Sequence, residues 1–127
     1  MGATEAMGRW ILDTTIEDIP PDTIRVAQES CFDCIGVMLA GVDQPVGQII
    51  ANYVSVQNSN PEATIVGSGF RTSLANAALV NGTMGHALDF DDFGGFGHPT
   101  VAVLPALLPI CEKTGASGRR LIEAFVI

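Results

Sequence analysis

Apolar residues recur along most of this chain at helical spacing. From Thr23 to about Ala40 they fall at Ile24, Ala27, Cys31, Cys34 or Ile35, and Met38, the period of a helix with one buried face. Asp22 is placed to cap its start and Gly41 to stop it. Val46 to about Gln57 repeats the period through Ile49, Ile50, Tyr53 and Val54, and Asn58-Ser-Asn-Pro61 ends it. Glu5 to Asp13 predicts a short helix with Met7, Trp10 and Ile11 on one side, followed by a turn from Glu17 to Pro21. Only Ala63-Thr-Ile-Val66, bounded by Gly67-Ser-Gly69, is β-like, and it is too short and solitary to found a sheet. Ser73 opens a central helix predicted to run to about Asp91. Val101 to about Lys113 follows, carrying Pro105 and Pro109, which predict a kink or a late helix start. Gly115-Ala-Ser117 caps that helix, and Gly118 to Ile127 begins another amphipathic one. The pattern is that of an all-α, multi-helix domain.

Composition changes the picture in three ways. At 127 residues the chain is one domain at most. Hydrophobic residues are 47% but aromatics only 6%, and mean hydropathy is +0.34, so burial relies on Ala, Val, Ile and Leu. Part of that apolar surface is expected to face a larger protein or a second copy. The formal charge is −8, from 14 acids against 6 bases, which argues against nucleic acid, a ligand that needs clustered Lys and Arg. No apolar run approaches the ~18 residues of a membrane span, and no secretory signal pattern opens the chain. A cytosolic location is the default expectation. The chain stops at Phe125-Val-Ile127 in mid-pattern, as a longer sequence would if cut there.

The candidate chemistry is concentrated between Leu79 and Pro105. This stretch holds both histidines, His86 and His98, and the run Asp89-Phe-Asp-Asp92. Crowded carboxylates drawn into an apolar setting hold their protons to higher pH, and such a group beside an imidazole is equipped for proton transfer. On a helix reaching Asp91, Gly82, His86 and Asp89 share one face, and Ala75, Ala78, Gly82 and Gly85 leave nearly bare backbone for a helix or ligand to approach. Gly94-Gly-Phe-Gly97 must break the helix, returning His98-Pro99 with Thr100 as N-cap of the next helix. Asp89 and His98 are then at one junction. Asp91 and Asp92 either cap the loop or position His98, and His86 reads as a core histidine bonded to a nearby carboxylate. On pattern alone, a capping network explains the Asp89 and His98 pair about as well as an active site does.

The series N-G-x-x-x-H-A-L-D-F-D-D, a short glycine loop, G-H-P-T and an apolar helix resembles the signature of the MmgE/PrpD family. That family includes 2-methylcitrate dehydratases, cis-aconitate decarboxylases and iminodisuccinate epimerases. The resemblance runs from about Leu12 to the end. It implies the N-terminal part (1–127) of a helical domain, with the rest of that domain and an α+β lid absent, in an enzyme that pairs as a homodimer. It further implies a lyase acting on a small polycarboxylate without metal or other cofactor, with 2-methylcitrate dehydration as the first expectation. By resemblance Asp89 and His98 are catalytic, with His86, Asp91, Asp92 and Thr100 in supporting or substrate-binding places. Many members carry Thr or Ser where this chain has Phe93, and the family's substrate-binding lysines and a further histidine fall outside these residues. The isolated chain is therefore expected to be inactive.

Other readings stand beside this one. A non-catalytic helical module that self-associates through its apolar faces keeps the motif as a structural junction. A metal-dependent hydrolase needs the two histidines to converge, yet a glycine loop separates them where helical metal sites use i, i+4 spacing. Cys31-Phe-Asp-Cys34 lies mid-helix on an apolar stripe, away from the helix N-terminus a reactive thiolate needs, and reads as core packing. An odd count of three cysteines suggests free thiols.

Overall fold

The computed structural model describes residues 2–95 and 97–127. The described residues form six α-helices: α1 (Ala3–Asp13), α2 (Pro21–Gly41), α3 (Pro45–Ser55), α4 (Leu74–Gly85), α5 (Pro99–Thr114) and α6 (Gly118–Val126). A 3₁₀ turn at Ile16–Asp18 joins the first two helices. No single helix among the described residues is long and apolar enough to cross a membrane.

The centre is α4, which packs against α5, α2 and α3. Ala27, Cys31, Cys34 and Met38 of α2 are buried with Leu104 of α5 and Ile122 of α6. A second group joins Val54 of α3, Ile65, and Val80 and Met84 of α4. The α2 stripe expected from the spacing is therefore the main core seam. On α1 no residue is buried, and the side with Met7, Trp10 and Ile11 stays exposed.

Four local expectations need correction. Asp22 does not cap α2: Pro20 is the N-cap, Pro21 opens the helix, and Asp22 lies in the first turn. Gly41 is the last residue of α2 rather than a left-handed stop, and its role is contact. A Cβ there would lie 2.1 Å from the Met84 carbonyl oxygen, so only glycine lets α2 and α4 cross so closely. The 63–66 segment has a partner after all, because β1 (Ala63–Thr64) pairs antiparallel with β2 (Arg71–Thr72). This miniature hairpin is stable because helices hold it. Asn81, wholly buried on α4, accepts from the Val66 N–H (2.9 Å) and donates to the Thr64 carbonyl (3.3 Å). Glu112 of α5 accepts from the Thr64 N–H and hydroxyl, both at 2.8 Å, and pairs with Arg71. Lastly, α5 runs from Pro99 through both interior prolines without a late start, and Gly82 of α4 faces the Pro105 ring.

The capping expected at other ends is present. The Ser73 side chain accepts from the Asn76 N–H at the start of α4, Gly115 (φ 66°) ends α5, and Ser117 accepts from the Arg120 N–H at α6.

Candidate functional site

α4 ends at Gly85, six residues before the expected limit, with His86 as C-cap. Gly82 and Gly85 give the last turn little intrinsic helix preference, and the next carboxylates find partners that a continued helix would deny them. Asp89 takes a left-handed conformation (φ 55°), which Asp tolerates better than most residues. The single helix face expected to carry Gly82, His86 and Asp89 does not exist. A folded loop brings the same residues together instead.

Loop closure comes from Asp92. Its carboxylate accepts from the Thr100 N–H (3.2 Å) and from the Thr100 hydroxyl (2.6 Å). Thr100 is thus not the N-cap of α5. His98 holds that position without a side-chain cap bond, Pro99 is the first helical residue, and Asp92 caps from eight residues upstream. Between these anchors Gly94 and Gly97 exchange backbone hydrogen bonds of 2.7 and 3.0 Å. The third residue of the expected loop, Phe96, lies outside the described residues.

The reversal stacks the two imidazoles edge to face, with ring centroids 4.7 Å apart. Asp91 is buried beneath them with its side chain fully shielded, 3.0 Å from His86 Nδ1 and 3.1 Å from His98 Nδ1. Asp89 lies on the outer side, its side chain 76% exposed, with Oδ1 3.5 Å from His98 Nε2. His98 is 25% exposed, and the ring of the exposed Phe93 meets it edge to face at 5.6 Å. His86 has the carboxylate partner expected for it but is not a core residue, since its side chain is 53% exposed. Two grooves flank the cluster. One of about 600 Å³, lined by Val46, Ala78, Leu79, Gly82, Thr83, His86 and Ala87, opens on His86. The other, about 350 Å³, opens on His98 between Gly94 and Val103. Ala78 and Gly82, singled out for bareness, line the first.

His86, Asp89, Asp91 and His98 each offer a ligand atom within 4.8 Å of the others. The glycine loop expected to keep the histidines apart is what joins them. Ligand atoms around a tetrahedral zinc at about 2.0–2.1 Å stand about 3.4 Å apart, so this set would have to contract to close on such an ion. As it stands, His86 Nδ1 is hydrogen-bonded to Asp91, while His98 Nδ1 lies close to the same carboxylate without an aligned hydrogen bond.

Cys31 and Cys34 lie on the buried face of α2 within the field of Asp92. Burial first, then that negative charge, pushes their thiols up to about 11 and about 12. They are packing residues, as the spacing indicated.

The cations of the chain are elsewhere. Arg9, Arg25, Arg71, Lys113, Arg119 and Arg120 are each paired with a carboxylate: Glu5, Glu29, Glu112, Glu62, Glu17 and Glu123. The chemistry offered is therefore proton exchange through imidazole and carboxylate, with no basic clamp for a polyanion among the described residues.

The chain is 32% identical to cis-aconitate decarboxylase of Mus musculus over 96% of its own length. It is 30% identical to the Homo sapiens protein of the same name, again over 96%. A cis-aconitate decarboxylase-like protein of Aspergillus oryzae is 25% identical over 98%. The chain spans about a quarter of the length of these curated relatives, 26 to 28%. The MmgE/PrpD N-terminal domain matches residues 5–127, and the chain therefore belongs to the MmgE/PrpD family.

Proposed function

We propose that this domain supplies the acid/base half of a lyase acting on a small polycarboxylate, with decarboxylation of cis-aconitate as the leading reaction. The observation that carries the reading is the Asp89 and His98 contact, Oδ1 to Nε2 at 3.5 Å, on the open side of a buried carboxylate. Loss of CO₂ from an unsaturated tricarboxylate breaks one C–C bond. Its electron pair forms a new C=C, and the displaced π pair must take a proton at carbon. His98 is placed to deliver that proton and Asp89 to resupply it. The names of the two mammalian relatives favour this reaction. Dehydration of 2-methylcitrate, the first expectation from the motif, uses the same pair as base and acid and is the second reading.

Either substrate brings several negative charges to a chain of net −8 whose six Lys and Arg side chains are each paired with a carboxylate. Clamping groups must come from further sequence or a partner, and the proposal includes a homodimer. The 127 residues alone are expected to turn over neither substrate. The test uses a longer protein carrying this domain, assayed with cis-aconitate for CO₂ release and with 2-methylcitrate for loss of water. Activity lost by about 10²-fold or more in His98→Ala and in Asp89→Asn supports the reading. Full activity in both variants overturns it. No turnover of either substrate, together with a stable helical dimer, supports the non-catalytic module instead.

A further inference from the structure

We infer that Asp91 is a two-handed positioning residue: one buried carboxylate holds both imidazoles in the Nδ1–H form, leaving Nε2 of each as the atom that exchanges protons. His86 Nδ1 lies 3.0 and 3.2 Å from the two Asp91 oxygens. His98 Nδ1 lies 3.1 Å from Oδ2, is shut off from solvent and has no hydrogen bond in line. An ionised carboxylate offers only lone pairs. An unprotonated Nδ1 at either ring would set its own lone pair against those of the carboxylate, so the proton belongs on Nδ1 in both rings. The partner of one ring nitrogen fixes the role of the other. The remaining nitrogens both have somewhere to act: His98 Nε2 faces exposed Asp89, and the His86 ring opens on the larger groove.

The division of labour among the aspartates follows. Asp92 closes the loop on Thr100, Asp91 orients both rings from below, and Asp89 stands in the open. Asp91 touches no reacting atom in this scheme. Only its catalytic meaning rests on the proposed function, because the tautomers exist whether or not the protein turns anything over.

The test is long-range ¹H–¹⁵N correlation NMR on the ¹⁵N-histidine-labelled 127-residue chain at about pH 9, above the ordinary imidazole range near 6.5. Both rings of the unaltered chain should show the pattern of a proton on Nδ1 and a free Nε2. Asp91→Ala should return both rings toward the Nε2–H form that unconstrained histidine favours, Asp91→Glu should restore at least one, and Asp89→Asn should leave both unchanged. A Nε2–H ring at either histidine in the unaltered chain overturns the inference even if no Asp91 variant folds. Unchanged tautomers in a folded Asp91→Ala chain overturn it as well. Correct tautomers in a protein that converts no polycarboxylate would sink the proposed function and leave the positioning role standing.

Discussion

Two glycines on α2, five residues apart, are expected to respond to alanine with opposite signs. Gly36 is exposed and a Cβ there meets nothing within 4 Å, whereas a Cβ on Gly41 would lie 2.1 Å from the Met84 oxygen, 2.7 Å from its carbonyl carbon and 2.9 Å from its Cα. Replacing an exposed mid-helix glycine by alanine removes backbone freedom from the unfolded chain and gains about 0.8–1 kcal/mol. At Gly41 that gain is at most the same, and it is set against a collision with main chain, which no rotamer change relieves. Forcing atoms into a packed crossing costs about 1–3 kcal/mol, occasionally more. Since three backbone atoms are involved, the cost lies at or beyond the top of that range, about 2–4 kcal/mol, for a net loss of roughly 1–3 kcal/mol. Urea unfolding followed by circular dichroism reads both changes. With a slope of about 2 kcal/mol/M, Gly36→Ala should raise the midpoint by about 0.4–0.5 M and Gly41→Ala lower it by about 0.5–1.5 M. A Gly41→Ala chain as stable as the parent would refute the close crossing of α2 and α4, and with it the placing of His86, which sits two residues beyond Met84.

Two further outcomes are expected of the same fold. Asp92→Ala leaves the buried Thr100 hydroxyl and N–H without their acceptor. It should lower stability by about 1–3 kcal/mol and broaden the His98 ring resonances, and unchanged unfolding would contradict the cap. The raised thiols of Cys31 and Cys34 make an alkaline prediction: their burial is fully stabilising below the ordinary thiol value of 9.0 and is lost as pH rises toward about 11 and 12. The unfolding midpoint should therefore fall above about pH 9, and at pH 8 the half-buried Cys111 should react with a thiol reagent before either of them. Equal labelling of all three in the native chain would contradict it.

The long helix α2 was legible because it buries one stripe, Ala27, Cys31, Cys34 and Met38, that spacing alone reveals. What spacing misread were positions whose reason lies in another element. Gly41 looks like a helix stop because glycine often is one, while its cause is the Met84 backbone 43 residues on. The hairpin looked solitary because its stabilising partners, Asn81 and Glu112, are on helices. In the site, the residue types and their proximity were readable from Asp89 to His98. The route to proximity was not, since the helix was carried on to Asp91 where the chain had already turned at His86. The low helix preference of Gly82 and Gly85, together with three aspartates in search of donors, was the available signal for that turn. Phe93 against His98 had no sequence signal beyond being adjacent to the aspartates.

The tie from Asp92 to Thr100 has an evolutionary consequence. It fixes the two ends of the span from 93 to 97 independently of what lies between them. The exposed Phe93 and Gly95 can change without untying those ends, whereas Gly97, at φ 111°, favours glycine. Changes there reshape the mouth of the groove beside His98 and leave the two imidazoles seated on Asp91 beneath it.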